Sequence, residues 1–395
     1  MSPIIGIFAP ANLSLSMKKI QMVDLVSQYE KIQEEIDSAI INVVRSSAYI
    51  NGPEVKAFQS ELEDYLSVKH VVPCANGTDA LQIAMMALGL KPGDEVITAD
   101  FTYVATAEVI ALLGLTPVLV DVNPATFNIE PEAIRAAITP KTKAIVPVHL
   151  FGQCAPMEAI MAIAKEHNLF VIEDTAQAIG AEYTFSDGTV KKAGTIGDIG
   201  ATSFFPSKNL GCYGDGGAMF TNSDEHAAML RVVANHGQTR QYYHDEVGVN
   251  SRLDSIQAAI LRIKLRRLDS YNAARRRTAA YYAEAFKDFP EITVPEHCSR
   301  STHVYHQYTM ILNGIDRDGL KAHLNERDIP MMIYYPVPLH LQKAYRDPRY
   351  NEGDFPVTEQ LCKSVASLPM QTELDDEQLK YITDGVISYI KAKRP

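Results

Sequence analysis

The residues with the clearest chemical potential lie in the stretch GATSFFPSKNLGCYGDGGAMF, residues 200–220. A single lysine, Lys208, follows an apolar, strand-like run and precedes four closely spaced glycines. A neutral lysine amine attacks carbonyl carbons, and glycine lets the backbone approach a bound group closely. Ser203 adds a hydroxyl at the end of the same run. The pattern indicates a reactive lysine beside a bound small molecule, with an ordinary surface lysine on a loop as the alternative.

Three further segments place polar or aromatic side chains directly after apolar runs. In ANGTDAL, Gly77 and Thr78 open a helical pattern, and the amides and hydroxyl of such a helix start can hold a phosphate. In VIEDTAQ, Asp174 and Gln177 follow a strand, although the carboxylate could equally cap the next helix. In FTYVAT, the ring of Tyr103 could stack on a flat ligand.

One cofactor has a use for all of these groups. Pyridoxal 5'-phosphate carries a phosphate, an aldehyde that condenses with a lysine, a ring nitrogen that pairs with a carboxylate, and a flat ring face. We therefore predict that Lys208 forms a Schiff base with this cofactor. Asp174 would keep the ring nitrogen protonated, because a nearby negative charge favours the charged form. No metal is predicted, because none of the histidines or cysteines shows the spacing of a metal site.

The elements that must position these residues are visible as seven short apolar runs with helical segments between them. The runs begin at residues 70, 94, 116, 143, 170, 200 and 217. They are apolar on both faces, which is typical of strands covered by helices above and below. We predict a largely parallel α/β sheet between residues 70 and 222. Ligands of such sheets gather beyond the carboxyl ends of the strands, where the candidate residues would meet.

The chain is long enough for more than one domain. Its 395 residues exceed one comfortable hydrophobic core. After Arg252 the pattern changes to a long helical stretch, and mixed short strands and helices follow. We predict a leader with little structure over residues 1–16, a large cofactor-binding domain over residues 17–265 and a smaller C-terminal domain over residues 266–395.

Composition and charge exclude several classes of function. The formal net charge of −11 argues against a nucleic-acid surface, which needs a basic stripe. The basic runs LRRL and ARRR, residues 265–268 and 274–277, lie in an amphipathic helical pattern and favour a solvated helix face. No segment approaches the length of a membrane span, and the five cysteines show no disulfide or metal pattern. We expect a cytoplasmic protein without a membrane partner.

Taken in order, five motifs resemble those of a known family: NGTDAL, FTYVATAEVI, EDTAQAIGA, SFFPSKNLGCYGDGGA and GVNSRLDSIQAAIL. They are similar to the DegT family of fold type I, pyridoxal-phosphate-dependent nucleotide-sugar aminotransferases, from about residue 20 onward. The resemblance implies a large domain with a mainly parallel, mixed seven-stranded sheet between helices, and a smaller C-terminal α/β domain. It also implies that L-glutamate donates an amino group, which a keto nucleotide-sugar receives.

The resemblance further implies a role for each matching residue toward the cofactor. Thr78, the backbone of Asp79 and Ser203 would hold the phosphate at the turn that Gly77 opens. Asn250 would reach the phosphate of a neighbouring subunit, so that a homodimer shares its active sites.

The ring of the cofactor would contact a second set of residues. Tyr103 would stack on it, Asp174 would pair with its nitrogen, and Gln177 would lie by its face or its hydroxyl. Lys208 would carry it and act as the base of the proton shift.

The substrate pocket is less defined by these motifs. Arg252 is similar to residues that meet a carboxylate of the sugar or of glutamate. His306, Tyr308, Tyr334, Tyr335 and His340 could line the sugar pocket, although Tyr308 could equally pack in a half-buried strand. His149 follows a strand and could lie near the cofactor or serve as a hydrogen-bonded structural histidine.

The acceptor follows from the segments QMVDL, NGPEV and MIYYPVPLHLQ, among others. They most resemble the branch that aminates C3 of UDP-linked 2-acetamido-2-deoxy-3-oxo-glucuronic acid in cell-surface polysaccharide biosynthesis, including that of lipopolysaccharide. An aminotransferase for 4-keto-6-deoxy sugars and a cofactor-binding regulator without turnover are the alternatives. A dehydratase of the same fold would carry a histidine in place of Lys208, and a nicotinamide dehydrogenase would need a GxGxxG turn that NGTDA lacks.

Overall fold

The computed structural model describes residues 18–394, and the leader predicted over residues 1–16 lies outside them. The α-helices of this part are α1 Leu25–Glu30, α2 Gln33–Ser46, α3 Pro53–Leu66, α4 Gly77–Ala87, α5 Ala105–Leu112, α6 Pro131–Ala137, α7 Met157–His167, α8 Asp224–Ala234, α9 Ser255–Leu265, α10 Leu268–Phe286, α11 Arg317–Asn325, α12 Pro356–Ser364 and α13 Asp376–Lys393. Short 3₁₀ turns span Leu150–Gly152, Leu339–Leu341 and Lys343–Tyr345.

The strands fall into one large sheet and three small ones. They are β1 His70–Cys74, β2 Glu95–Ala99, β3 Thr116–Val120, β4 Thr142–Val146, β5 Phe170–Asp174, β6 Glu182–Thr184, β7 Val190–Lys192, β8 Ile199–Ser203, β9 Gly217–Thr221, β10 Gln238–Arg240, β11 Tyr243–His244, β12 Ile292–Thr293, β13 Tyr308–Leu312 and β14 Val365–Leu368. The large sheet has seven strands in the order β1-β9-β8-β5-β4-β2-β3. In this sheet β9 runs in the direction opposite to the other six strands, so the mainly parallel, mixed sheet predicted from the sequence is confirmed.

The central strands are apolar on both faces because each face supplies a different core. In β2, Ile97 packs into the core on one side of the sheet, and its neighbour Val96 packs into the core on the other side. In β4, Ile145 and Val146 divide in the same way. Successive side chains of a strand point to opposite faces, so an uninterrupted apolar run is what a doubly covered strand requires.

A second sheet and its helices form a separate core in the C-terminal part of the chain. The antiparallel strands β12, β13 and β14 pack with α10, α11 and α13 around Met310, Leu324 and Val386. Ile20, near the start of the described chain, belongs to the same core. The long helical stretch after Arg252 is two helices, α9 and α10, and the predicted domain boundary at residue 265 falls between them. The boundary itself stays a prediction.

Three general expectations concern the chain as a whole. Within residues 18–394, no helix is both long enough and apolar enough to cross a bilayer. All five cysteines are free thiols. In the same described range, no group of three or more histidine, cysteine or acidic side chains is arranged to hold a metal ion.

Candidate active site

Asp174 lies at the carboxyl end of β5, at the centre of the large sheet. Its side chain is only 7 % exposed. The hydroxyl of Thr106, in α5, donates to Asp174 Oδ2 at 2.9 Å, and the amide of Ala176 donates to Oδ1 at 3.1 Å. The carboxylate is therefore fixed in orientation by two donors. The sequence motif includes Thr106, but nothing in its spacing indicated this contact.

Lys208 lies close to Asp174, on the loop that follows β8. Burial lowers the pKa of the Lys208 amine to about 8, and the negative charge of Asp174 partly opposes that shift. The amine has no hydrogen-bond or ion-pair partner among residues 18–394. A desolvated amine without a partner is more reactive than an ordinary lysine, because a larger fraction of it is neutral near physiological pH.

The loop that carries Lys208 is fixed by contacts on both sides. The Lys208 amide donates to the carbonyl of Phe205 at 2.8 Å, and the side chain of Asn209 donates to Asn272 Oδ1 at 2.7 Å. A Cβ atom at Gly211 would lie 2.3 Å from the carbonyl oxygen of Pro206. The sequence suggested that glycines here leave room for a ligand, whereas Gly211 is required by close packing of the loop on itself.

The start of α4 and the end of β8 meet as the phosphate hypothesis requires. Ser203 pairs with Gly217, which also pairs with Cys74, so the end of β8 lies beside the turn into α4. A Cβ atom at Gly77 would lie 2.6 Å from the Cβ of Ser203, and only glycine fits there. The amides of Gly77 and Thr78 are the first two of the helix and have no intrahelical acceptor. A hydroxyl and two amides thus converge on one small region.

Asp79 has hydrogen-bond partners of its own beside the predicted phosphate site, and its role toward the phosphate stays a prediction. Its amide, expected to hold the phosphate, donates to the side chain of Asn76 at 2.8 Å, which caps the helix. Its carboxylate accepts a hydrogen bond from the hydroxyl of Ser251 at 2.6 Å. In this structure Asp79 fastens the residue 250–252 segment to the helix start, and an anion would compete with Asn76 for the amide.

Gln177 and Tyr103 are both neighbours of Tyr335. The Gln177 side chain accepts from the amide of Phe151 at 2.7 Å and donates to the hydroxyl of Tyr335 at 3.1 Å. The Tyr103 ring lies 6.2 Å from the Tyr335 ring and is 57 % exposed, so one face is open to a flat ligand. Burial raises the pKa of Tyr335, which also feels the charge of Asp174. Tyr334 is half-buried, with its ring 6.0 Å from that of Tyr335.

His306 is a buried neighbour of Lys208. Burial lowers its pKa well below the ordinary value, and the positive charges of Lys208 and Arg275 lower it further. Arg275 donates to the carbonyls of Tyr305 and His306, each at 3.1 Å, and so fixes the backbone that carries the imidazole. The solvated helix face predicted for residues 274–277 is wrong for Arg275, which is 2 % exposed and also donates to Met370.

Two predicted substrate-binding residues are not open to a cleft. Tyr308 is 1 % exposed in the core of the second sheet, where its ring lies 4.9 Å from that of Tyr282. His340 is 2 % exposed, and its Nδ1 lies 2.6 Å from Asp100 Oδ2. On its other side, Nε2 lies 3.3 Å from a carboxylate oxygen of Glu359. These placements do not support contact with a sugar.

His149 takes the structural role that the sequence left open. Its Nδ1 accepts a hydrogen bond from the amide of Ala155 at 3.0 Å, so Nε2 carries the proton of the neutral ring. That proton is donated to the buried carboxylate of Glu173 at 2.9 Å. Glu173 also accepts the amides of Gly194, Ile196 and Gly197. The pair anchors the loop between β7 and β8.

Asn250 and Arg252 do not contact Lys208 or Asp174. Asn250 is exposed and pairs with Asn235 at the end of α8. Arg252 lines a surface cavity beside β1. Within the described residues, neither makes a hydrogen bond or ion pair with Lys208 or Asp174. The segment reaches the helix start of its own chain only through Ser251.

The sequence matches one family profile over most of its length, residues 30–387: the DegT/DnrJ/EryC1/StrS aminotransferase family. Three relatives align with nearly the whole chain. The "Pleiotropic regulatory protein" of Geobacillus stearothermophilus is 47 % identical over 94 % of this chain and 99 % of its own length. The UDP-2-acetamido-2-deoxy-3-oxo-D-glucuronate aminotransferase of Pseudomonas aeruginosa is 47 % identical, covering 92 % and 98 %. The UDP-N-acetyl-3-dehydro-alpha-D-glucosamine 3-aminotransferase of Acidithiobacillus ferrooxidans is 45 % identical, covering 92 % and 96 %.

Solved structures show the same fold. A DegT/DnrJ/EryC1/StrS aminotransferase from Brucella abortus superimposes with a TM-score of 0.89 at 44 % identity, covering 94 % of this chain and 99 % of that chain. The protein ntda from Bacillus subtilis, solved with bound cofactor PMP, superimposes with a TM-score of 0.86 at 31 % identity, covering 96 % and 86 %.

Proposed function

The chain belongs to the DegT/DnrJ/EryC1/StrS aminotransferase family and is a pyridoxal-phosphate-dependent transaminase, and we propose that it aminates C3 of a UDP-linked keto-sugar. The acceptor we propose is UDP-2-acetamido-2-deoxy-3-oxo-glucuronate, with L-glutamate as the amino donor. The observation that carries the proposal is the half-buried Lys208 side chain, whose amine lies near Asp174 without a hydrogen-bond partner among the described residues and has a lowered pKa. Amine exchange needs such a neutral, nucleophilic lysine.

The residues present fit the cofactor. Lys208 offers an amine without a partner, and Asp174 offers a carboxylate held in place by Thr106. Gly77 packs closely against Ser203, as no larger residue could, and so brings the start of α4 next to the Ser203 hydroxyl. Pyridoxal phosphate, when bound, supplies an aldehyde for amine exchange and an electron-withdrawing ring.

We assign the phosphate-binding role to the amides of Gly77 and Thr78 and the hydroxyls of Thr78 and Ser203. The positive end of α4 favours a dianion at this position. Asp79 contributes through its position at the helix start rather than through a free amide.

We assign contacts with the ring of the cofactor to a second group of side chains. Asp174 would pair with the ring nitrogen, Tyr103 would cover one face, and Gln177 would be oriented by its bonds to Phe151 and Tyr335. The Lys208 amine would accept and return the proton that moves during transamination, because its pKa suits a base near neutral pH.

The choice of acceptor follows from the relatives and from one side chain. Two relatives, 47 % and 45 % identical, are named for 3-amination of UDP-linked 3-keto sugars. They differ in whether the sugar is a uronate. Arg252 makes no ion pair among the described residues and can bind a carboxylate through two N–H groups. This favours the uronate and a role in cell-surface polysaccharide biosynthesis, lipopolysaccharide included.

A homodimer with shared active sites is part of the proposal. Asn250 is exposed, and its side chain makes no hydrogen bond among the described residues, so it is free to serve a partner's phosphate. Sedimentation of the active enzyme tests this, since a fully active monomer would remove that role for Asn250. The free cysteines agree with a cytoplasmic enzyme.

The experiment that tests the function follows the visible absorbance of the purified holoenzyme. Glutamate is added first, and the three candidate acceptors are then compared: the 3-keto uronate, its 3-keto glucosamine counterpart and a 4-keto-6-deoxy sugar. We expect the colour to bleach with glutamate and to return fastest with the uronate. Lys208→Ala should neither bleach nor recover, whereas Lys191→Ala, an exposed lysine on β7, should behave as the parent enzyme does.

Each other outcome selects a different function. Colour that returns only with the neutral 3-keto sugar would keep C3 amination and discard the uronate. Colour that returns only with the 4-keto sugar would select the alternative aminotransferase. A yellow protein that never bleaches would favour a cofactor-binding regulator, the reading that the name of one relative suggests.

A further inference from the structure

A surface cavity beside the edge strand β1 has an unusual charge for this protein. It lies between the start of α3, the end of α8 and the segment 251–253. Lys56, Arg231 and Arg252 line it, and none of its lining residues is acidic. Another surface cavity, beside β7, mixes both signs and includes Glu182. The chain as a whole carries 48 acidic and 37 basic residues, so a purely basic cavity runs against its composition.

The three basic side chains also lack the partners that neighbouring cations have. Within residues 18–394, Lys56, Arg231 and Arg252 make no side-chain hydrogen bond or ion pair. Arg262, on α9, contacts Glu54 at 2.7 Å and Glu61 at 2.6 Å. Lys56 lies in the first turns of α3, and the same helix carries carboxylates that could pair with it. Those carboxylates pair with Arg262 instead.

Like charges that share a cavity repel one another, and a bound anion removes that cost. We propose that this cavity binds the diphosphate of a nucleotide, and thus that it is the nucleotide subsite for the acceptor. The inference rests on the proposed function, which makes the substrate a nucleoside diphosphate sugar. It adds Lys56 and Arg231 to the residues that select the substrate.

The composition of the cavity favours a diphosphate over the carboxylate of glutamate. Arginine binds two oxygens of a phosphate at once, so Arg231 together with Lys56 matches the charged oxygens of a diphosphate, and Arg252 remains for the carboxylate of the uronate. The side-chain amides of Asn51 and Asn235 add neutral donors. A single carboxylate would leave most of this positive charge unbalanced.

The cavity adjoins the proposed cofactor site without being part of it. Ser251 lines the cavity, and its hydroxyl donates to Asp79 in the first turn of α4 at 2.6 Å. The cavity wall is thereby joined to the helix start that we assign to the cofactor phosphate.

The test measures UDP binding to the full-length holoenzyme by calorimetry, with uridine, pyrophosphate and L-glutamate as comparison ligands. We expect UDP and pyrophosphate to compete and uridine to bind far more weakly. Lys56→Gln and Arg231→Gln should each weaken UDP binding about 10- to 100-fold, the effect of losing one charge-assisted contact. Lys191→Gln, in the mixed cavity, is the matched control and should leave the UDP affinity unchanged.

The outcomes separate this inference from the proposed function. Unchanged UDP affinity in both variants would overturn the inference even if the enzyme aminates its sugar normally. Slower bleaching by glutamate in the same variants would also overturn it, because the cavity would then serve the donor. If UDP binds to the parent enzyme and the variants lose that binding, the subsite holds, whichever keto-sugar proves to be the acceptor.

Discussion

The Lys208 amine should titrate far below an ordinary lysine in the enzyme freed of its cofactor. Burial lowers its pKa from 10.5 to about 8. At pH 7 the neutral fraction then rises from about 0.03 % to about 9 %, an increase of roughly 300-fold in reactive amine. We expect competitive labelling with acetic anhydride, read at each lysine by peptide mass spectrometry, to give a midpoint near pH 8 at Lys208.

A variant at Asp174 separates the two causes of this value. The negative charge of Asp174 raises the pKa of Lys208, against the larger effect of burial. Asp174→Asn should therefore move the labelling midpoint below pH 8, while Asp174→Glu should keep it near the parent value. A midpoint near 10.5 in the parent enzyme would refute the reasoning, since it would place the amine in water. A midpoint that rises in Asp174→Asn would refute the assigned proximity.

The same shift predicts how stability depends on pH. The pKa of Lys208 is lower in the folded protein than in the unfolded chain. The folded state therefore has its full stability above pH 10.5, where the amine is neutral in both states, and loses stability as the pH falls through about 8 and the desolvated amine takes up a proton. The difference of about 2.5 units corresponds to about 3 kcal/mol. We expect the cofactor-free Lys208→Met variant to exceed the cofactor-free parent in unfolding free energy by up to that amount at pH 7. The gain should vanish above pH 10.5.

Three further predictions concern Thr106, Tyr308 and Glu173. Thr106→Val removes the 2.9 Å hydrogen bond to Asp174 and should lower kcat about 10-fold while cofactor absorbance is retained; unchanged kcat would show that the orientation of the carboxylate does not matter. Tyr308→Phe removes a buried hydroxyl that has no partner among the described residues, so KM for the sugar should not change; a raised KM would restore its predicted role in the sugar pocket. Glu173→Gln weakens the hydrogen bonds to the loop amides and to His149 and should lower the unfolding free energy by about 3 kcal/mol in denaturant titrations. Glu182→Gln, which removes only the partly exposed ion pair with Lys192, should change it little.

The large sheet could be predicted because strands buried on both faces have uninterrupted apolar runs in the sequence. Val96 and Ile97 serve different cores, so neither position tolerates a polar residue. The order of the strands could not be predicted in the same way. The strand that begins at Gly217 lies antiparallel between β1 and β8, yet its residues read like those of a parallel strand.

The candidate site was predictable where a motif joins a strand end to a helix start, as at Asp174 and Ser203. It was not predictable where partners come from distant segments. The three histidines of interest follow similar apolar contexts, yet His149 is held by Glu173 and His340 by Asp100. Only His306 feels the charge of the candidate lysine. The local sequence cannot show which histidine is structural, because the carboxylates that bind His149 and His340, those of Glu173 and Asp100, come from distant parts of the chain.

Three desolvated cations, of which Arg275 and Lys264 are buried and Lys208 is half-buried, show what the structure adds to the local sequence pattern. Arg275 donates to three backbone carbonyls, so its charge is compensated and its role is to fix the backbone. Lys264, 1 % exposed, has its ammonium 5.2 Å from the ring of Tyr213, which compensates part of the cost of burial. Lys208 is also desolvated, and it has neither carbonyls nor an aromatic face, so the charge of Asp174 offsets only part of the cost. Desolvating an amine with incomplete compensation is unfavourable, and such a position persists only where another constraint maintains it. The amine of Lys208 is therefore best explained by a carbonyl group that it meets during function, which is why the reactive role is assigned to it and not to the other two.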